Sequence, residues 1–265
     1  MTKLVLESRV ADIATITFNR PEARNALNEE MLCALPDIAR RLAADRDIRA
    51  VIVTGAGGAF CAGGDVKDMV EDERAHAGED FEKRVDAIRE QMEFSRLLHE
   101  MPKPTLAVIS GSAAGAGLSI ALACDYRIAA SDAKLTTAFS KVALSGDFGG
   151  SFFLPRIVGS AKARELYFTA DVLSGDEAAE LGIVNRSVPA EKLAEEADRL
   201  ARSLADLPTV AVGHMKRNLN LGEHGTLAQV MDSEALYLIR SMMTDDHKVA
   251  SRAFVEKRTG KFSGT

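Results

Sequence analysis

The sequence predicts an α/β core followed by a helical C-terminal portion. Two apolar runs carry the core: Ala50 to Val53, closed by Gly55, and Thr105 to Ile109. Each is short and wholly apolar, as a strand buried on both faces must be, and each leads into a glycine-rich turn and a helical pattern. The tail rests on Glu191 to Lys257, where apolar residues recur at helical spacing almost throughout and Pro208 marks a boundary. Strand, turn, helix, strand is the order of an α/β core.

Along the chain, Leu4 to Ser8 and Asp12 to Phe18 alternate apolar and polar residues around Arg9, Val10 and Ala11, which predicts a hairpin entering the sheet. Asn28 is placed to cap a helix that runs to Ala44. Between the two buried strands, Glu71 to Glu100 reads as a charged helical excursion that begins in a mobile loop around His76, Ala77 and Gly78. Strands thin out beyond Ala133, and Ser174-Gly-Asp-Glu177 has the form of a capping box for a helix ending at Gly182. No internal repeat is visible. The expected organisation is a core over residues 1–205 and a helical region over residues 206–265.

At 265 residues the chain can bury a sizeable core, and 46% hydrophobic with 27% charged residues is ordinary for a globular protein. A formal net charge of −6 argues against nucleic acid or an anionic membrane as partner. The longest mostly apolar stretch, Ala113 to Ala123, is too short to span a bilayer. Residues 1 to 18 alternate like strands rather than following a signal layout, so the expected location is the cytoplasm. Cys33, Cys61 and Cys124 form no C-x-x-C and are expected to be buried free thiols; the histidines show no ligand spacing, so no metal is expected.

Gly55-Ala-Gly57-Gly58 and Gly115-Ala-Gly117 invite comparison with phosphate loops. A dinucleotide loop would need glycine at Phe60 or Ile120, and the G-K at Gly260-Lys261 is followed by Phe262 rather than serine or threonine. Glycines in turns ordinarily serve backbone geometry alone. These two turns, however, each follow a buried strand, and side by side they would direct backbone N–H groups into one crevice. Such a crevice stabilises negative charge on a carbonyl oxygen, as an oxyanion hole does.

Several longer segments resemble the enoyl-CoA hydratase/isomerase, or crotonase, superfamily: Ile13 to Leu27 (IATITFNRPEARNAL), Gly58 to Met69 (GAFCAGGDVKDM), Ser112 to Asp125 (SAAGAGLSIALACD), Phe153 to Gly159 (FLPRIVG) and Phe254 to Arg258 (FVEKR). The resemblance covers nearly the whole chain in order. It implies a spiral of ββα turns, a C-terminal helical trimerisation region, and assembly as a homotrimer or a homohexamer. It implies an acyl-CoA thioester as substrate, with coenzyme A entering as part of that substrate and no separate cofactor. Carried over position by position, the donors to the thioester carbonyl are the main-chain N–H groups of Gly64 and Ala116. Arg24, Ala62 and Asp65 fall near the nucleotide end of coenzyme A, and Lys257, Arg258 and Lys261 near a neighbouring subunit's site. Those last three are equally well read as a solvated basic tail.

The acids separate the branches of the family. Its hydratases use a pair of glutamates; this chain has Ser119 at the first position and Phe139, or a neighbour of it, at the second. The stretch from Ser140 to Gly150 (SKVALSGDFGG) instead resembles the S-K-x-G-L-x-P-D-x-G-G of isomerase branches, where the aspartate moves the proton. Asp147 is therefore the expected base, a role compatible with capping a helix that starts near Gly149, because a cap position can also face a crevice. Gly146 departs from the proline of that pattern. The leading expectation is an isomerase that shifts a double bond between β,γ and α,β positions, or a related ring rearrangement as in epoxyphenylacetyl-CoA isomerases. The alternatives are a hydratase-like or thioester hydrolase activity with Asp147 assisted by Asp68 or Glu71, and a catalytically weak acyl-CoA-binding protein. Phe81, Phe94, Phe139, Phe148, Phe152 and Phe153 could line an acyl tunnel or simply fill the core. If the missing acid is what prevents hydration, Ser119→Glu is expected to raise it slightly.

Overall fold

The computed structural model describes residues 3–66 and 80–265; Asp68, Glu71 and the His76 to Gly78 stretch lie outside the described residues. The chain opens with the expected hairpin, β1 (Val5–Val10) against β2 (Ile13–Phe18) in antiparallel register from Val5 opposite Phe18 to Val10 opposite Ile13. Its turn is only Ala11 and Asp12, one residue later than the sequence pattern suggests, and Ala11 takes a positive φ of 54° to close it. In β2, Ala14, Ile16 and Phe18 are fully buried while the residues between them are only partly so, an alternation with the period of a strand.

β3 (Ala50–Gly55), β4 (Thr105–Ile109), β6 (Tyr126–Ala130) and β9 (Arg186–Val188) continue the sheet in parallel, in the order β1-β2-β3-β4-β6-β9. A smaller sheet of β5 (Ala113–Ala114), β7 (Lys134–Thr136) and β8 (Leu173–Ser174) lies in the order β5-β7-β8. A bridge from Cys61 to Ala113 extends this second ladder by one rung. The chain therefore steps from the large sheet to the small ladder in successive turns: β3 then Cys61, β4 then β5, β6 then β7. After the second of these it enters α4 (Ala116–Ala123), so the ββα unit implied by the resemblance is present. The units are unevenly spaced in sequence, which is why no repeat period shows.

Helices cover the sheet. α1 (Glu29–Ala44) is capped by Asn28, whose Oδ1 accepts from the Met31 amide at 3.1 Å. α2 (Phe81–Gln91) and α3 (Glu93–Glu100) follow, and α4 is buried along its whole length. α5 (Gly150–Val158), α6 (Ser160–Thr169) and α7 (Gly175–Glu180) come next; α7 begins with the expected capping box of Ser174 and Glu177. α8 (Leu193–Ala205) lays Leu193, Ala197, Ala201 and Leu204 on the core.

Beyond it, α9 (Thr209–Gly222) is anchored by Lys216, whose buried Nζ donates to the Leu98 carbonyl at 2.8 Å and to Asp125 Oδ2 at 2.7 Å. α10 (Leu227–Met242) begins with a second capping box, Thr226 with Gln229, yet buries no residue. α11 (Asp245–Val255) completes the fold. Among the described residues no helix is long and apolar enough to cross a membrane.

Candidate active site

The site forms where the parallel strands end, which is where α/β sheets open a crevice. Three loops meet there, from Arg20 to Leu27, from Gly55 to Asp65, and from Gly111 to Ala116. Close backbone contact fixes them together. A Cβ on Gly111 would lie 2.0 Å from the Gly58 carbonyl oxygen, and one on Gly117 would lie 2.3 Å from the Cys61 carbonyl oxygen, so neither position admits a side chain. Asn25, fully buried with φ of 58°, binds the first loop to the second: its Nδ2 donates to the carbonyls of Ala56 and Ala59 at 2.8 Å each, and its Oδ1 accepts from the Arg20 amide at 2.9 Å. Arg20 in turn donates to the Ala26 carbonyl at 2.7 Å and pairs with Asp65 at 3.0 Å.

This scaffold presents two amides. Gly63, at φ of 95°, offers its carbonyl to the Leu27 amide at 2.8 Å, which leaves the peptide after it turned the other way. Among the described residues, neither the Gly64 nor the Ala116 N–H donates to a protein acceptor. They are neighbours: a Cβ on Gly63 would lie 3.7 Å from the Ala116 nitrogen. Ala116 also opens α4, so its N–H is one of those a helix leaves unbonded at its positive end. Nearby, the Cys61 sulfur accepts from the Gly63 amide at 3.4 Å, and burial pushes its thiol up to about 12, so it stays protonated. Cys124 is equally buried, but Cys33 is exposed, contrary to the expectation that all three thiols are inside; it falls on the outer face of α1.

Asp147 sits in a different setting. Gly146, Phe148 and Gly149 have φ of 110°, 46° and 79°, so the aspartate is flanked by left-handed backbone, and at Phe148 that conformation is strained. Its own carbonyl accepts from the Gly150 amide at 3.0 Å, but no side chain caps α5, and Oδ1 is buried without a hydrogen-bond partner among the described residues. The helix-capping role is thus not taken by this carboxylate. Burial raises its pKa to about 6, which makes it a base matched to near-neutral pH.

The positions of the hydratase acids are filled otherwise. Ser119, on α4, is buried and donates back to the Gly115 carbonyl at 3.2 Å. Phe139 is buried and stacks on Tyr167 of α6, with ring centroids 5.8 Å apart. Tyr167 was not singled out by the sequence. Its hydroxyl is buried and has no hydrogen-bond partner among the described residues, and burial, then the Asp147 charge, push the phenol up to about 12. It also explains Gly146. A φ of 110° is closed to proline, whose ring holds φ near about −65°, and even a Cβ there would come within 3.2 Å of Tyr167 Cε1.

The residues assigned to coenzyme A divide into two groups. Arg24, Ala62 and Asp65 are brought together beside Gly64: the Ala62 amide donates to the Arg24 carbonyl at 3.0 Å and the Asp65 amide to the Leu27 carbonyl at 3.1 Å. Arg24 is exposed, whereas the Asp65 carboxylate is turned inward to Arg20 and holds the loop. Lys257, Arg258 and Lys261 are elsewhere. The tail after them is tied to Arg49, which donates to the Phe262 carbonyl at 2.7 Å, and Arg49 precedes β3 whereas the crevice follows it. Within one chain, these cations therefore belong to the opposite end of the sheet. Of the phenylalanines, Phe94 is in the deep core against Phe18, Phe81 is exposed, and Phe139 and Phe148 flank the carboxylate loop.

A sequence model of the enoyl-CoA hydratase/isomerase family matches residues 8–265. The chain is 37% identical over 264 residues, 100% of both chains, to 1,2-epoxyphenylacetyl-CoA isomerase from Escherichia coli K12. It is 34% identical over 251 residues, 94% of each chain, to crotonyl-CoA hydratase from Syntrophomonas wolfei. The crystal structure of an enoyl-CoA hydratase from Polaromonas sp. JS666 matches with a TM-score of 0.90 at 32% identity, covering 98% of this chain and 99% of the other.

Proposed function

This chain belongs to the enoyl-CoA hydratase/isomerase family and has the crotonase fold, and from that premise we propose that it is an acyl-CoA isomerase. The thioester carbonyl accepts hydrogen bonds from the Gly64 and Ala116 amides, and Asp147 removes a proton from the carbon next to it. The resulting enolate oxygen is held by the same two donors, a contribution of several kcal/mol in a preorganised site. Asp147 returns the proton two carbons farther along, which moves the double bond between β,γ and α,β positions.

The observation that carries this reading is the half-buried carboxylate of Asp147, raised to about 6, where Ser119 and Phe139 supply no second acid among the described residues. Hydration needs one group to activate water and another to protonate carbon; a double-bond shift needs only one base. Arg24 and the Ala62 to Asp65 loop meet the nucleotide end of coenzyme A. Lys257, Arg258 and Lys261 reach that end in a neighbouring subunit.

The same proposal makes the protein a homotrimer or homohexamer. The C-terminal helices display Leu219, Leu227, Leu238, Ile239, Phe254 and Val255 to solvent, more apolar surface than a monomer ordinarily leaves uncovered. Incubation with β,γ- and α,β-enoyl-CoA separately tests the reaction. A shifted double bond is expected, and a 3-hydroxyacyl product or free coenzyme A as the main outcome would overturn it.

A further inference from the structure

The hydroxyl of Tyr167 and Oδ1 of Asp147 are both buried and both without a hydrogen-bond partner among the described residues. Burying a polar atom unpaired costs about 1–3 kcal/mol, so a pair of them in one place is unusual unless a ligand or an ordered water supplies the missing bonds. They are in one place. A Cβ on Gly150 would meet the Tyr167 hydroxyl at 2.5 Å and Ser119 Oγ at 2.4 Å, and one on Gly146 would come within 3.6 Å of the same hydroxyl. The loop that carries Asp147 therefore wraps the phenol from both sides.

The phenol is also held still. Its ring stacks on Phe139, at or beside the position where a hydratase would have its second acid, and a Cβ on Gly146 would press against it at 3.2 Å. Burial and the neighbouring carboxylate keep its proton on, so it is a donor. Ser119, the other hydroxyl nearby, is already engaged with the Gly115 carbonyl.

We propose that Tyr167 is a specificity-determining residue whose hydroxyl donates a hydrogen bond to an oxygen on the β or γ carbon of the acyl group, so that the site favours acyl-CoA thioesters bearing such an oxygen. The positions follow from Asp147, which serves the α and γ carbons and sits in the loop around the phenol; this rests on the isomerase reading above. A site built to hydrogen-bond a substrate oxygen discriminates against the analogue that lacks it, because its own polar group is then left unpaired.

Calorimetric titration of the full chain with butanoyl-CoA, 3-hydroxybutanoyl-CoA and 4-hydroxybutanoyl-CoA tests this without turnover. The parent is expected to bind one of the hydroxylated thioesters about five- to tenfold more tightly than butanoyl-CoA, the scale of one hydrogen bond. Tyr167→Phe, which keeps the stacked ring, is expected to remove that preference and leave butanoyl-CoA affinity within about twofold, since only a hydrogen bond is lost. Equal binding of all three by the parent, a preference that survives in Tyr167→Phe, or equal weakening of all three would each overturn the proposal. Conversion of 3-butenoyl-CoA to its α,β-isomer by the parent separates the two readings: its absence defeats the isomerase and leaves the titration to decide Tyr167, while conversion without any preference defeats Tyr167 alone.

Discussion

The crevice at Gly64 and Ala116 and the loop at Asp147 face the same chemistry but are built on opposite terms. Around the crevice the surrounding loops are bonded to one another: Asn25 satisfies three backbone groups, Arg20 and Asp65 close an ion pair, and glycines let main chain touch main chain. Around Asp147 the terms reverse, with left-handed backbone at Phe148, and a buried carboxylate oxygen and phenol hydroxyl without hydrogen-bond partners among the described residues. A rigid, satisfied scaffold can hold a carbonyl for many reactions. On the reading proposed above, the unsatisfied loop is where one reaction is selected, because substrate supplies partners to its polar groups.

The largest test of this contrast is Asp147→Asn. The substitution keeps size and leaves both backbone donors untouched, so acyl-CoA affinity is expected to stay within about threefold while kcat falls by about a hundredfold or more, as for a lost general base. Titration and turnover measured on the same preparation decide it. A variant that loses binding and turnover together would place Asp147 in the scaffold instead.

Gly117→Ala probes the other side. Its Cβ would press on the Cys61 carbonyl oxygen, a backbone atom that cannot step aside without moving the crevice. Stability is expected to fall by about 1–3 kcal/mol, as in overpacked cores, with affinity falling too. Urea denaturation of parent and variant reads the first effect, and an unchanged midpoint would show the scaffold to be softer than its contacts imply.

How far the sequence revealed each half follows from the same difference. The buried strands, the Asn28 cap and both ends of the Ser174 capping box were legible because their signals are local. Asp147 was legible as an acid among glycines, but whether it capped a helix could only be decided by its partners in space. Asn25 and Tyr167 left no local signal. Asn25 acts across 31 and 34 residues, and Tyr167 meets the carboxylate loop through a fold-back between α5 and α6 that no spacing encodes. The same gap affects Ser119. Read alone, it is a small residue where a glutamate could be restored.

In the structure, Ser119→Glu has no such room. Ser119 Oγ already lies 2.4 Å from where a Cβ on Gly150 would be, so a glutamate must displace the start of α5 or the Tyr167 ring. The expected result is a stability loss of about 1–3 kcal/mol and no gain in hydration, in place of the small gain that the sequence suggests. Thermal melting together with a hydration assay on α,β-enoyl-CoA checks both parts, and hydration rising in a stable variant would restore the missing-acid account of this site.

The dependence of stability on pH isolates the burial of the carboxylate from its chemistry. With a folded pKa raised to about 6, above the ordinary aspartate value of 3.8, the folded chain holds its proton over a range where the unfolded chain has released it. Below that range both states are protonated and the group contributes nothing. As pH rises through it, ionisation favours the unfolded state, so the parent loses stability, and above it the loss is constant. Asparagine cannot ionise. The stability of Asp147→Asn relative to the parent should therefore grow between the unfolded and folded pKa values by on the order of 3 kcal/mol and then level off. Over the same range, kcat/KM of the parent should climb to a plateau as the base is freed. Paired denaturation curves across the range measure the difference directly. Parallel curves for the two proteins would mean that the carboxylate is as well solvated as in the unfolded chain, and the contrast between a satisfied scaffold and an unsatisfied loop would then rest on Tyr167 and the backbone alone.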